Sequence, residues 1–512
     1  MEEYIIAYDL GTGGNKASLY NQDGECLAST FVTYATFYPH PGWHEQRPAD
    51  WWDAVVKSTK QLLAATEIEK QKIVCCGISG HSLGTVLLDK HGNVLRQHTP
   101  IWSDARAVEQ AQQFFENVEE EQWYYTTGNG FPAPLYTVFK ILWYREHEPQ
   151  MFSKIDRVIG TKDYINYRLT GRIATDYSYA SGTGVYDLLK WDYSDQLIQA
   201  SQLPQSLFPE IVPSTQVLGD LTAEAAQILG LPQNVKIVAG GVDNSCMALG
   251  ARNIEDGRVY NSLGSSSWIP VCSSKPLLDA RTRPYVFTHV IPGLFTSALS
   301  IFSSGTSFQW VRDQLCQNLM AQAVNEGKNA YDLMFSLAAQ SPIGAHKLLF
   351  NPSLGGGTSL DDSLHIRGAF LGLDLGHTQA DIIRAAMEGI AMGLRLALDE
   401  LRKLTHLDDQ LLVVGGGSQN ALWRQIYADV YNMEIIKTNI DQQAAALGAA
   451  AVAAVGAGLW SDFTRIDKIH QIESITRPIP EHTKIYEQLL PIFIQAGAYQ
   501  SKLGEMLTKY QI

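Results

Sequence analysis

Charge is scarce in this sequence. Only 18% of its 512 residues are Asp, Glu, Lys or Arg, against roughly 25% in typical soluble proteins, as expected of a chain with little surface for its volume. At roughly 150 residues per domain the length suggests two to four domains and rules out a single small one. Basic residues are outnumbered, 39 Lys plus Arg against 53 Asp plus Glu, for a net charge of −14. That is the wrong sign for tracking a phosphate backbone, so no nucleic acid partner is expected. An anionic small molecule would need a local positive potential from turn amides, helix N-termini or a bound cation.

Other absences narrow the class. No basic stretch precedes the short apolar run in MEEYIIAYDL, so no signal peptide is read and a cytoplasmic location is expected. No membrane span is expected either: Ala444 to Trp460 is alanine-rich and glycine-interrupted, and is shorter than the roughly 18 residues a span needs. Cys26, Cys75, Cys76, Cys246, Cys272 and Cys316 show neither CxxC spacing nor clustering, which predicts free thiols and no zinc site. A Walker A loop is missing, because Gly327-Lys328 lacks the upstream glycine and the following Ser or Thr.

What is present alternates between strand and helix patterns, an α/β class. Residues 4 to 33 read as an antiparallel meander: YIIAYD, the turn GTGG, NKASLY, the turn NQDG, then ECLASTFV. A helix follows Pro48, and KIVCCGIS (72 to 79) reads as a buried strand. The segment Tyr8-Asp9-Leu10-Gly11-Thr12 recurs loosely as Tyr260-Asn261-Ser262-Leu263-Gly264-Ser265 half a chain later, which suggests an internal duplication. KIVAGGVDN (236 to 244) and LLVVGGGSQN (411 to 420) are two further apolar strands entering glycines and then a helix. Four such turns suggest a shared cleft. The strongest helix pattern runs from a capping box, Thr378 with Asp381. Further helices are expected near Asn420 and over Ala444 to Val455.

Several motifs compete for the chemistry. Gly80-His81-Ser82-Leu83-Gly84 fits the G-x-S-x-G elbow of serine hydrolases, which would make Ser82 a nucleophile, but that elbow requires a helix after the serine. TVLLDKHGN reads instead as a strand and turn. DLGTGGNK is not a dinucleotide fingerprint, since NKASLY alternates as a strand rather than opening a helix. Its hairpin tip offers backbone amides, the Thr12 hydroxyl and the Lys16 ammonium to phosphate oxygens, while Asp9 suits hydrated Mg²⁺. Asp243 follows two glycines at a strand end, where it serves either as an N-cap or as a general base for a substrate hydroxyl. Gly415 to Gly417 would admit a flat ring against backbone, with Asn420 beside it. Trp43, Trp102 and Trp123 are expected to pack, with the polar run Trp102-Ser103-Asp104-Ala105-Arg106 a candidate for sugar contact.

Taken in order, YDLGTGGNK, PGWHEQRPADWW, IWSDAR, TKDYINYRLTG, ATDYSYASGTG, VAGGVDN, NSLGSSSW, SSGTSFQW, GAFLGLDLGHTQADIIRAAMEGI and VVGGGSQNALWRQIYADV resemble the FGGY carbohydrate kinases over nearly the whole chain. The resemblance implies two RNase-H-like domains of the actin/hexokinase type around a central cleft. Residues 1–250 would bind sugar and carry the base, and 251–512 would bind nucleotide. It implies ATP and Mg²⁺ as cofactors, with Asp9 for the metal and Asp243 as base. It further implies Thr12, Lys16, Gly264, Ser265, Gly305, Gln309, Gly416 and Asn420 around the nucleotide. The sugar is expected against His81, Ser82, Asp104, Asp243 and Asn244. The layout is similar to that of xylulokinases, and the partner expected is a small ketose or polyol, with a homodimer as the protein assembly considered. The Met-His pair of xylulokinases and the Arg-Glu pair of glycerol kinases both fall at Ser82-Leu83 here. Gluconate, ribulose, glycerol and erythritol therefore stay open as alternatives. From other classes, a serine hydrolase and a non-catalytic nucleotide-binding module remain rivals.

Overall fold

The computed structural model describes residues 2–510. The chain forms two compact units. The first comprises residues up to Glu255 together with Cys272–Ser297 and Gln443–His470, and the second comprises Asp256–Val271, Ala298–Gln442 and the residues from Gln471 onward.

The first unit is built on a seven-stranded sheet. Its main path runs Val217–Asp220, Lys236–Val238, Ile73–Gly80, Tyr4–Gly11, Gly14–Asn21, Cys26–Thr33, with the short strand Gly241–Val242 also paired to Ile73–Gly80. The expected meander is the antiparallel half of this sheet. Period-two alternation sorts the first strand cleanly. Tyr4, Ile6, Tyr8 and Leu10 join Trp51, Trp52, Val55 and Leu62 of the helix Pro48–Ala64 in one apolar cluster. Ile5, Ala7 and Asp9 take the opposite phase. Two helices lie against these strands, Asp243–Gly250 and Ala444–Gly456, and they also pack on each other. A second apolar cluster of the unit, rich in aromatics, holds Trp123, Tyr124, Tyr136, Phe139 and Trp143.

Glycine sets the spacing of those two helices. A Cβ on Gly250 would lie 1.8 Å from the Ala444 carbonyl oxygen, and one on Gly448 would lie 1.8 Å from the Cys246 carbonyl oxygen. The backbones touch reciprocally, leaving no room for side chains between them. On the sheet side, a Cβ on Gly77 would fall 2.2 Å from the Ala449 carbonyl oxygen.

In the second unit, Val259–Leu263 pairs antiparallel with Ser267–Ser273 and parallel with Gln410–Val414. Glu434–Thr438 adds a parallel strand and Ile472–Thr476 an antiparallel one. This repeats the plan of the first unit, where Tyr4–Gly11 pairs antiparallel with the next strand and parallel with Ile73–Gly80. The loose sequence repeat thus corresponds to two hairpins of the same kind. The helix Gln379–Leu404 starts with the expected capping box of Thr378 and Asp381, and its apolar stripe is buried through Leu401. All six cysteines are free thiols. Among the described residues no helix is long and apolar enough to cross a membrane.

The glycine contact has a measurable consequence. Gly448→Ala is expected to destabilise the protein by about 1–3 kcal/mol, the usual cost of overpacking. Gly497→Ala, where an added methyl meets nothing within 4 Å, should instead stabilise its helix by about 0.5–1 kcal/mol. Thermal melts of the two variants against wild type check both signs.

Candidate active site

Strand register assembles the first half of the site. Asp9 lies opposite Lys16 in the antiparallel neighbour and opposite Ser79 in the parallel one, and Ser79 lies opposite Gly241. Asp9, Ser79 and Gly241 therefore form one row near the C-terminal ends of parallel strands, where open α/β sheets place their ligands. Asp243 comes two residues after Gly241 and opens the helix Asp243–Gly250. The turn into it requires glycine: Gly240 has φ +73°, and a Cβ there would sit 2.0 Å from the Ile78 carbonyl oxygen.

Asp243 is not the helix cap. Val242 occupies the N-cap position, Asp243 is the first helical residue, and its Oδ1 accepts the Asn244 N–H at 2.8 Å. Surrounding protein removes its carboxyl from bulk water, and the negative charge of Asp9 adds to this, pushing its pKa up to about 7. Both residues keep part of their surface open, as groups that must meet a ligand require. The Asp9 carboxyl is likewise raised by desolvation, partly offset by Lys16 and by the Ser79 hydroxyl, which donates to Oδ1 at 3.0 Å. The Tyr34 hydroxyl donates to the Gly11 carbonyl. Burial and the charges of Asp9 and Asp243 keep this phenol protonated.

The hairpin tip is held from outside. The Thr12 hydroxyl accepts the Trp102 Nε1–H at 2.9 Å. Gln46 donates through Nε2 to the Thr12 carbonyl at 2.7 Å while accepting the Trp51 indole N–H at 2.9 Å. A Cβ on Gly13 would meet nothing within 4 Å, whereas one on Gly14 would lie 2.6 Å from the Val32 carbonyl oxygen. The exposed side of the tip is thus bare backbone, the surface a phosphate can approach.

The residues expected around the sugar divide into two groups. His81 is buried, with Nδ1 3.2 Å from the Thr161 hydroxyl and Nε2 without a protein partner. Burial lowers its pKa to about 4, so the ring is neutral and its Nε2 is available to a hydroxyl. Ser82 is buried beside it, and Asn244 follows Asp243. Asp104 is fully occupied: it accepts the His44 N–H at 2.7 Å, the Arg106 N–H at 3.1 Å, and Arg106 Nε and Nη2 at 2.8 and 2.7 Å. Its role in this geometry is to order the loop that carries Trp102. Leu83, in the left-handed region at φ +58°, packs in the apolar cluster, with its carbonyl gripped by Lys140 Nζ at 3.0 Å. The strand Ile73–Gly80 is followed after this loop by another strand, Val86–Leu88. The strand–turn–helix context of a serine nucleophile is absent here, which removes the hydrolase rival.

The second unit holds a cavity of about 490 Å³. Of the residues expected for nucleotide, Gly264, Ser265, Gly305, Gln309 and Gly416 line it. Three glycine turns form its floor, for the Gly264 carbonyl accepts the Gly305 N–H at 3.1 Å and the Ser265 carbonyl the Thr306 N–H at 3.0 Å. A Cβ on Gly416 would meet nothing within 4 Å, so its backbone faces the opening. Asn420 does not line the cavity; its side chain caps the helix Ala421–Tyr431 by accepting the Trp423 N–H at 3.1 Å. The wall is aromatic and was not legible from spacing. Phe308 stacks on Tyr331 and Phe335, and Trp423 on Tyr427, with centroids 5.7 to 6.0 Å apart. Trp423 Nε1 and the Tyr427 hydroxyl are buried without protein partners, so the wall offers a flat heteroaromatic ring both stacking surface and unused hydrogen-bonding groups.

Among the described residues no cluster of three or more His, Cys, Asp or Glu could hold a metal by itself. A magnesium ion does not need one, since it takes one or two carboxylates and completes its shell with water and phosphate. Asp9, desolvated by burial, and Asp243, whose proton affinity the charge of Asp9 helps to raise, are a donor set that fits it.

A carboxyl of raised proton affinity in one unit and a ring-sized aromatic cavity in the other are compatible with a carbohydrate kinase, and it is the match to known proteins that shows the class. Residues 4–250 match the N-terminal domain of the FGGY family of carbohydrate kinases and residues 259–457 its C-terminal domain. The chain belongs to this family and is an enzyme that phosphorylates a sugar. It is 30% identical to the xylulose kinase of Bacillus subtilis over 513 residues, 99% of each chain. The crystal structure of a Rhodospirillum rubrum xylulose kinase superimposes with a TM-score of 0.89 at 28% identity, covering 98% of this chain and 100% of that one. A gluconate kinase from Lactobacillus acidophilus gives 0.88 at 26% identity, over 98% and 100%.

The Asp243 environment makes opposed demands on activity and stability. If Asp243 is the base, it works only when ionised, so kcat/KM should be full above, and fall as pH drops through, about 7. A raised folded-state pKa contributes stability below the unfolded value of roughly 4, and that contribution is lost as pH rises through about 7. Asp243→Asn should therefore lose turnover by ~10²-fold or more yet melt above wild type at pH 8. A pH–rate profile and paired melts test the two signs.

Proposed function

We propose that the enzyme transfers the γ-phosphoryl group of ATP to a hydroxyl of a small ketose, with xylulose the leading substrate, and that Asp243 is the general base. The observation that carries this reading is the Asp243 carboxyl, held at the mouth of a helix with its proton affinity raised to the neutral range. The sugar is assigned to the first unit, against His81 Nε2, Ser82, Asn244 and Asp243. Adenine is assigned to the aromatic cavity of the second unit, with Gly264, Ser265, Gly305, Gln309 and Gly416 at its floor. Thr12, Lys16 and the bare amides at the hairpin tip are assigned to phosphate oxygens.

In the reaction, Asp243 accepts the proton of the attacking hydroxyl as its oxygen bonds to the γ-phosphorus. The bond from that phosphorus to the β–γ bridging oxygen breaks, and ADP leaves with the electron pair. Such transfer depends on positioning and charge stabilisation more than on covalent chemistry. Mg²⁺, held through Asp9, would neutralise charge on the phosphates. Lys16 adds a fixed cation on the strand facing Asp9, and Ser79 keeps the Asp9 carboxylate oriented. The xylulose assignment draws on the xylulose kinases among the relatives, and the neutral, partnerless His81 Nε2 suits a hydroxyl better than a carboxylate.

An ADP-release assay with ATP and Mg²⁺ over xylulose, ribulose, gluconate, glycerol and erythritol tests the substrate. Xylulose is expected to give the highest kcat/KM. Highest turnover on gluconate would overturn the ketose assignment, and ATP binding without ADP release on any of them would favour a non-catalytic nucleotide-binding module.

A further inference from the structure

The turn that delivers Asp243 is held on one side by strand pairing to Ser79 and Gly80 and on the other by a buried polar network. Lys162 Nζ lies 2.6 Å from Asp163 Oδ1 and 2.9 Å from Asp176 Oδ1, and all three side chains are at most 1% exposed. Asp176 Oδ2 accepts the Ser178 hydroxyl at 2.5 Å and the Ser214 hydroxyl at 2.7 Å. The Ser178 oxygen, its proton committed to Asp176, accepts the Val242 N–H at 2.9 Å. Val242 is the residue before Asp243 and the cap of its helix. The same network reaches the start of the turn, where the Ala239 carbonyl accepts Lys162 Nζ at 3.3 Å and Asn166 Nδ2 at 2.8 Å. Gly240 N–H goes to the carbonyl of Ser214 at 3.0 Å.

We propose that Lys162, Asp176 and Ser178 form a positioning relay that sets the Asp243 carboxylate for proton abstraction, Ser178 being its last link. The proposal rests on Asp243 as the base. Three features argue for positioning over general stability. First, a charged lysine and two aspartates are costly to bury compared with apolar residues of similar size, so stability alone does not favour them. Second, the helix Asp243–Gly250 has no side-chain cap of its own, and beyond its strand pairing the N–H of the residue entering it is fixed by the Ser178 hydroxyl. Third, the glycines at 240 and 241 give that backbone freedom which something outside must restrict. Orientation set by an outside network fixes where the carboxylate stands without touching substrate.

Ser178→Ala deletes the acceptor of the Val242 N–H together with one hydroxyl donor to Asp176 Oδ2. It is expected to lower kcat by about 10- to 100-fold, the scale produced by small misplacement of a reacting group, with KM for sugar and for ATP unchanged. Ser178→Thr, which keeps the hydroxyl, is expected to restore kcat. Wild-type kcat in Ser178→Ala, or a loss that Thr fails to rescue and that follows the melting temperature, overturns the relay. Should Ser178→Ala not fold, Ser214→Ala carries the test, with a smaller kcat loss expected and an unchanged kcat counting against the relay. Asp243→Asn assayed in parallel separates the two ideas. If it is inactive while Ser178→Ala is fully active, the relay fails and the base stands; if it turns over like wild type, the base reading itself fails.

Discussion

Two carboxyl groups that resist being charged together are the constraint around which the first unit is arranged. Asp9 and Asp243 come from a strand and a helix start far apart in the chain, yet the charge of Asp9 raises the proton affinity of Asp243. Left alone, such a pair would be expelled to solvent or protonated. Here the surroundings hold it: Ser79 and Lys16 act on Asp9, the first helical N–H acts on Asp243, and a phenol that cannot ionise stands nearby. A divalent cation carried in with a nucleotide would complete the compensation. The site thus carries unbalanced negative charge when empty, which favours the entry of a cation-bearing ligand.

The two hairpins show how one local plan was put to two uses. Each runs from a strand through a small-residue turn into an antiparallel partner, beside a parallel neighbour. In the first the strand carries Asp9 and the partner strand Lys16, which suits metal and phosphate. In the second, Ser262 stands in the corresponding segment and the turn opens on an aromatic wall, which suits an uncharged ring. Electrostatics separates the tasks while the backbone stays the same.

Much of this was legible because it is local. The meander, the glycines before Asp243, the capping box at Thr378 and the Asp9–Lys16 hairpin all announce themselves within a dozen residues. What escaped was the work done across long separations. Ser79 meets Asp9 through strand register 70 residues on, and nothing in GISG marks its hydroxyl as an orienting group. Asn420 satisfies its helix rather than the cavity, a competition between cap and ligand that one residue's identity does not decide. The aromatic wall comes from Phe308, from Tyr331 and Phe335 one turn apart on a second helix, and from Trp423 on a third, so no single sequence period joins them. TKDYINYRLTG and ATDYSYASGTG read only as family segments, and their buried charges acquire meaning only when Lys162 and Asp176 are seen to face each other.

The reciprocal contact of Gly250 and Gly448 also bears on how the molecule is made. Residue 448 leaves the ribosome long after residue 250, with nearly the whole second unit synthesised between them. Until then the helix that carries Asp243 has the earlier strands to lie on but lacks the helix Ala444–Gly456, and the side that will meet it stays open while the intervening chain emerges. Burial of this surface is therefore a late event of biosynthesis, and a nascent chain stalled before the 443–470 segment would be a natural client for cellular quality control.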